Sequence, residues 1–162
     1  MILSAVVIFG VSAAGLLLRR TAPIAQPVGF NHLRHTQELK LGCDVCHKYV
    51  RTGAHPGLPD RETCAICHAA PLGTSEEAAQ FTELVQSGEP IRFNKLFRLP
   101  SHVFYTHRRH VTVAGLECTK CHDGIASTEE PPERPLVKID MAFCIRCHRE
   151  REVTTDCTAC HR

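Results

Sequence analysis

The sequence predicts a mostly irregular fold with a few short α-helices and almost no sheet, behind one N-terminal transmembrane helix. Three observations predict it: an uncharged apolar run over residues 1–18, a scarcity of aromatic residues (no Trp, seven Phe, two Tyr), and ten Cys that fall into five tight pairs. Setting the apolar run aside leaves about 140 residues, one domain by length. So little chain, with so few large side chains, cannot assemble an ordinary aliphatic core. The core has to come from groups the chain binds.

The first element runs from Met1 to Leu18 and is closed by Arg19 and Arg20. Its length is at the lower limit for a helix that crosses a bilayer, about 18 residues. The alternative is a cleaved signal peptide, with Ser12, Ala13 and Ala14 as small residues near a cut; the missing charged segment ahead of the run favours a retained anchor. We expect an anchor over 1–20 and an extramembrane domain over 21–162. Gly10, Ala14 and Gly15 form a stripe suited to packing against another membrane helix or to facing lipid.

The Cys pairs carry the chemistry. They read Cys43-x-x-Cys46-His47, Cys64-x-x-Cys67-His68, Cys118-x-x-Cys121-His122, Cys144-x-x-Cys147-His148 and Cys157-x-x-Cys160-His161, and no Cys is left over. A His placed at random after each pair would give five hits in five roughly once in a million. Cys-x-x-Cys alone fits a disulfide, a zinc knuckle or a redox dithiol, but the trailing His is the attachment signal of c-type haem. Two thiols one turn apart reach the two vinyl groups of a porphyrin, and the next residue offers the iron an imidazole nitrogen. Zinc sites do not require His after every second Cys. The sequence therefore predicts five covalently bound haem c groups, attached through the ten Cys, with His47, His68, His122, His148 and His161 as proximal ligands. Haem faces, packed on one another and on short segments, supply the missing core.

The formal charge of +2 omits these groups. Two propionates on each of five haems, with one positive charge on each ferric porphyrin, bring the oxidised protein to about −3, and losing the ferric charges brings the reduced one to about −8. The basic sequence pI is thus no argument for nucleic acid as a partner.

The chain also repeats itself with an offset of seventy-five residues. Phe30-x-His32-x-x-His35 precedes Cys43 as Tyr105-x-His107-x-x-His110 precedes Cys118, and Leu41 matches Leu116. Each copy, about 28–72 and 103–162, continues into a second attachment unit, and the later copy adds a fifth. His-x-x-His on one helical turn sets both imidazoles toward one side, where they can meet two different irons. Six His lie outside the attachment units: His32, His35, His55, His102, His107 and His110. Five low-spin haems need five distal ligands. His55 sits in a Gly- and Pro-rich loop and suits a surface or supporting role, so His32, His35, His102, His107 and His110 are the distal candidates. Met141 is too near Cys144 to cap the same haem. Between the copies, Thr74 to Glu77 reads as a capping box that opens a connecting helix over about 75–88, with Ala78, Phe81, Leu84 and Val85 as an apolar stripe and Gly88 with Pro90 at its end.

Aromatic-x-His-x-x-His before Cys-x-x-Cys-His resembles the cytochrome c3 and c7 multihaem group. The stretches Gly88 to Phe93, Leu99 to Val111 and Phe143 to Arg149 are more closely similar to the pentahaem subunit of alternative complex III and to cytochromes that accompany quinone-handling membrane complexes. The resemblance implies an N-terminal membrane helix, bis-His haems, and assembly beside an iron-sulfur subunit and a polytopic quinol-binding subunit. Proteins with this attachment motif are loaded on the outer side of the bacterial inner membrane, which implies a periplasmic domain although Arg19 and Arg20 alone would argue the reverse orientation.

The function expected is an electron-transfer subunit with no catalytic residue, relaying electrons between a quinone-linked or iron-sulfur partner and a periplasmic acceptor. A multihaem reductase of small oxyanions would need an open distal position, and six spare His leave none. A donor cytochrome to a reaction centre would have the same ligation and differ only in its partner.

Overall fold

A computed structural model describes residues 22–161. The apolar run and the anchor expected over 1–20 lie outside them, and among the described residues no helix is long and apolar enough to cross a membrane. The described chain is a string of short helices joined by irregular segments. It has no strand, and its one isolated bridge pairs Val103 with His161.

The helices follow the attachment units. Cys43–Cys46 (α1) and Cys157–Cys160 (α5) are single turns, Cys118–Lys120 is a 3-10 turn, and the other two units lie in the longer helices Arg61–His68 (α2) and Met141–Glu150 (α4). Glu76–Gln86 (α3) connects the copies. Two Cys three apart share one face of a turn, and the His that follows closes it. His47, His122 and His161 each donate their amide to the carbonyl of the unit's first Cys at 2.9 Å.

Side-chain caps start the longer helices. Asp60 accepts from the Thr63 amide at 2.8 Å and from the Thr63 hydroxyl, and Asp140 accepts from the Phe143 amide at 2.9 Å. The cap of α3 is Ser75, whose hydroxyl accepts from Ala78 N at 3.2 Å. This corrects the expected box from Thr74 by one residue: the hydroxyl that reaches the third helical amide belongs to Ser75. The helix ends at Gln86, and Gly88 follows in the left-handed region at φ 84°.

Helices α2 and α3 pack as a hairpin. Arg61 donates to the Val85 carbonyl at 3.0 Å and Gln86 to the Ala69 carbonyl at 2.8 Å, so the helices also hold each other's ends. Val85, Thr63 and Thr82 are buried there; Ile91 and Val50 complete the buried set among the described residues. Ile66 is 75 % exposed and Val113 70 %. A domain that builds its core from side chains buries such residues.

The two copies agree bond for bond. Each His-x-x-His runs into a wide π-type turn, Arg34–Glu38 (π1) and Arg108–Val113 (π2). The closing bonds are Leu39 N to Arg34 O at 3.0 Å and Ala114 N to Arg109 O at 2.9 Å, then Leu41 N to His35 O and Leu116 N to His110 O, both 3.0 Å. Such turns are rare and concentrate at functional sites. Each ends in a left-handed residue, Lys40 at φ 58° and Gly115 at φ 62°.

The copies also exchange contacts. Segment Ala126–Thr128 of the later copy receives π1: Leu33 N reaches Thr128 O at 3.0 Å, while Thr36 and Gln37 both donate to the Ala126 carbonyl at 3.1 Å. The loop after α1 receives π2: His107 N reaches Ala54 O at 3.1 Å, Arg108 N reaches Gly53 O at 3.0 Å, and Thr112 donates to Arg51 O at 2.6 Å. The arrangement is an internal pseudo-dimer.

Two outcomes follow from these local structures. The Thr63 hydroxyl and amide hold the Asp60 carboxyl down at about 2, from an ordinary 3.8. Its contribution is therefore fully present above about pH 4 and is lost as pH falls through 2. Asp60→Ala is expected to cost about 1 kcal/mol at neutral pH and to remove that acid dependence, read by circular dichroism in denaturant between pH 2 and 5. A Cβ on Gly115 would meet nothing within 4 Å, so Gly115→Ala carries only the left-handed backbone penalty, about 1 kcal/mol. Lys40→Gly, relieved of that strain but freer when unfolded, should stay within about 0.5 kcal/mol of the parent in the same unfolding assay.

Candidate haem-binding centres

Each site is built from a pair of imidazoles and a pair of thiols. Ring centres lie 6.2 Å apart for His35 and His68, 6.5 Å for His107 and His122, 6.3 Å for His110 and His148, and 5.5 Å for His102 and His161. Four distal candidates thus each meet a different His of an attachment unit, and His32 is left with His47, one of the imidazoles whose charge bears on it. In the observed pairs the second His of each copy faces the copy's second unit, and His107 faces the first unit of the later copy. His55 is exposed and stands outside the pairs.

The spacing suits an iron between the rings. A metal–imidazole bond of about 2 Å and roughly 1 Å from nitrogen to ring centre, taken twice, give about 6 Å. The hydrogen bonds suit it as well. Nδ1 lies against a backbone carbonyl in His35 (Asn31, 2.7 Å), His47 (Gly57, 2.8 Å), His107 (Ala54, 2.9 Å), His110 (Thr106, 2.9 Å) and His148 (Thr154, 2.8 Å), and against the Thr128 hydroxyl in His32 (3.0 Å). A carbonyl can only accept, so the proton is on Nδ1 and the lone pair on Nε2 faces outward to a metal. Burial favours the neutral form of four rings: it pushes His32 down to about 4 and lowers His68, His107 and His122.

Aromatic side chains set the ring planes. Phe30 lies edge-on to His32 at 4.7 Å and stacks on His35 at 4.5 Å, and Tyr105 repeats this against His107 at 5.0 Å and His110 at 4.6 Å. The motif's aromatic residue therefore orients two ligand candidates at once. On the proximal side Phe81 meets His68 and Phe97 meets His122, each edge-on at 5.0 Å. Helix α3, which the sequence presents as packing alone, thus also braces a site through Phe81.

Three further contributors are hard to see in the sequence. The position after each motif aromatic both caps the turn and orients a ligand: Asn31 Oδ1 accepts from Arg34 N at 2.7 Å and Thr106 Oγ1 from Arg109 N at 3.1 Å, while their carbonyls hold His35 and His110. The loop around His55 serves through its carbonyls at Ala54 and Gly57. Thr128 acts across the copy boundary. The short polar side chain at positions 31 and 106 is the one sequence signal.

The thiols are free in the structure and stand in for the thioether sulfurs of a loaded protein. Burial pushes Cys46, Cys64, Cys118, Cys121 and Cys144 up, toward the neutral thiol. Among the described residues no group of three or more His, Cys, Asp or Glu is arranged to hold a bare metal ion.

Paired thiols beside paired imidazoles, with few buried apolar side chains among the described residues, are the marks of a multihaem c-type cytochrome. Comparison with known proteins agrees. Residues 103–162 match the family described as cytochrome c7 and related cytochrome c. The chain is also 29 % identical over 157 residues to the multihaem cytochrome c subunit of menaquinone reductase from Nitratidesulfovibrio vulgaris, a match spanning 83 % of this chain and 74 % of that one. The chain is therefore related to multihaem c-type cytochromes.

Phe81→Ala removes both the brace on His68 and part of the α2–α3 contact. It is expected to lower the unfolding free energy by about 2 kcal/mol and to change the optical spectrum of no more than one haem.

Proposed function

We infer that the chain is an electron-transfer subunit with five bis-His c-type haems, relaying electrons between a quinone-linked, iron-sulfur-containing membrane complex and a periplasmic acceptor. The observation that carries this reading is the pairing of imidazoles. Four proximal candidates each meet one distal candidate, and we assign His32 to His47 as the fifth pair, so every iron would have both axial positions filled and none would be open to a substrate.

A haem bound at these sites supplies a one-electron couple. The chain's part is to hold each haem by Cys43 and Cys46, Cys64 and Cys67, Cys118 and Cys121, Cys144 and Cys147, or Cys157 and Cys160. It fixes the imidazoles through their Nδ1 partners and keeps water from their faces with Phe30, Tyr105, Phe81 and Phe97.

The order of the sites supports a relay. The charge of Cys46 bears on Cys64 and that of Cys67 on Cys46; the charge of Cys43 bears on Cys118, those of Cys144 and Cys147 on Cys121, and that of Cys160 on Cys144. Numbered along the sequence, the sites then adjoin in the order 2, 1, 3, 4, 5. The step from site 1 to site 3 joins the two copies.

The menaquinone reductase relative supports a quinone-linked complex, and the likeness of the Leu99–Val111 region to the alternative complex III subunit supports an iron-sulfur and a polytopic partner. The apolar run of residues 1–18 supports a single-pass anchor in the inner membrane, with the haem domain outside.

Isolation of the native protein from detergent-extracted membranes tests the reading. It should yield five haems per chain by pyridine haemochrome assay, low-spin ferric EPR signals alone, and a co-purifying polytopic subunit. A major high-spin signal, or fewer haems than attachment units, would overturn it.

A further inference from the structure

We propose that Thr128 is a positioning residue for site 1, fixing the tautomer and ring plane of His32 from the opposite copy. The proposal rests on reading His32 as an iron ligand.

Two equivalent sites lie at the junction of the copies, and each first His takes its Nδ1 partner from the other copy. His107 leans on a backbone carbonyl, that of Ala54, at 2.9 Å. His32 leans on a side chain, the Thr128 hydroxyl, at 3.0 Å. That hydroxyl has one proton to give, and it lies 3.0 Å from the Ile125 carbonyl, which can only accept. Its oxygen is left to accept from His32 Nδ1–H. Like the carbonyls, it selects the tautomer that frees Nε2.

The contact is separable from the fold. Thr128 is also held by its main chain, accepting from Leu33 N at 3.0 Å and donating to Ile125 O at 3.2 Å, and the turn before it is secured by Thr36 and Gln37. Removing the hydroxyl alone leaves these in place. It also leaves a half-buried Nδ1–H without a partner. A hydrogen-bonded Nδ1–H makes imidazole a stronger donor through Nε2, which favours ferric iron and lowers the site's potential. The difference in acceptor is thus a means of giving two sequence-equivalent haems unequal potentials.

The test is a spectroelectrochemical titration of the full-length holoprotein with Thr128→Val and Thr128→Ser. The haemochrome assay comes first; fewer than five haems in the parent protein would defeat the five-haem reading itself, independently of Thr128. With five haems in the parent, Thr128→Val should move one of five redox steps to higher potential and alter one low-spin EPR component. Loss of one haem in the Val variant but not in the Ser variant would equally support the assignment. Thr128→Ser should restore the parent titration. Five unchanged steps in a fully loaded Val variant, or the same defect in both variants, would overturn it.

Discussion

The meeting of one imidazole with another across a gap of about one iron atom is the constraint on which the remaining structure depends. Val50, Val85 and Ile91 are the buried apolar side chains of the described residues, far too few to hold a chain of this length against its conformational entropy. The helices are short, one to three turns, below the length at which a helix persists by itself. What the chain does build with care is the surroundings of the paired rings: carbonyls at Nδ1, aromatic edges against the ring faces, and π turns that carry two ligand candidates at once.

Duplication supplies a second layer of order. Two copies that each made only internal contacts would leave the junction between them without hydrogen bonds. Here π1 seats on Ala126–Thr128 and π2 on Arg51–Ala54, so each copy lends the other an acceptor for its first His. The contacts are alike in place and unlike in chemistry, a hydroxyl in one direction and a carbonyl in the other. Equivalent positions in a repeat therefore need not be equivalent sites.

Much of this was legible in the residues. The five attachment units, the seventy-five-residue offset and the spare His announce themselves because they depend on side-chain identity at fixed spacing. The helix between the copies was visible within two residues at each end, its cap shifted by one because Thr74 and Ser75 offer the same hydroxyl. The orienting partners were hidden for a physical reason. Five of the six Nδ1 contacts described above go to backbone carbonyls, which every residue carries, so no side chain marks Ala54 or Gly57 as a contributor. Phe81 fits both an apolar stripe and a brace for His68, and only the fold shows that it is both. The pairing of rings was open because spacing along the chain limits which rings can meet without choosing among them.

The bond from His32 to Thr128 spans 96 residues, whereas that from His107 to Ala54 spans 53 and points back toward the N-terminus. Emerging from its N-terminal end, the chain presents Cys43, Cys46 and His47 first but must wait until the later copy has reached Thr128 before His32 finds its partner. Site 3 finds Ala54 already present. The first centre to be written in the sequence is thus not the first to be finished, and the completeness of its surroundings reports that the later copy has arrived as far as Thr128.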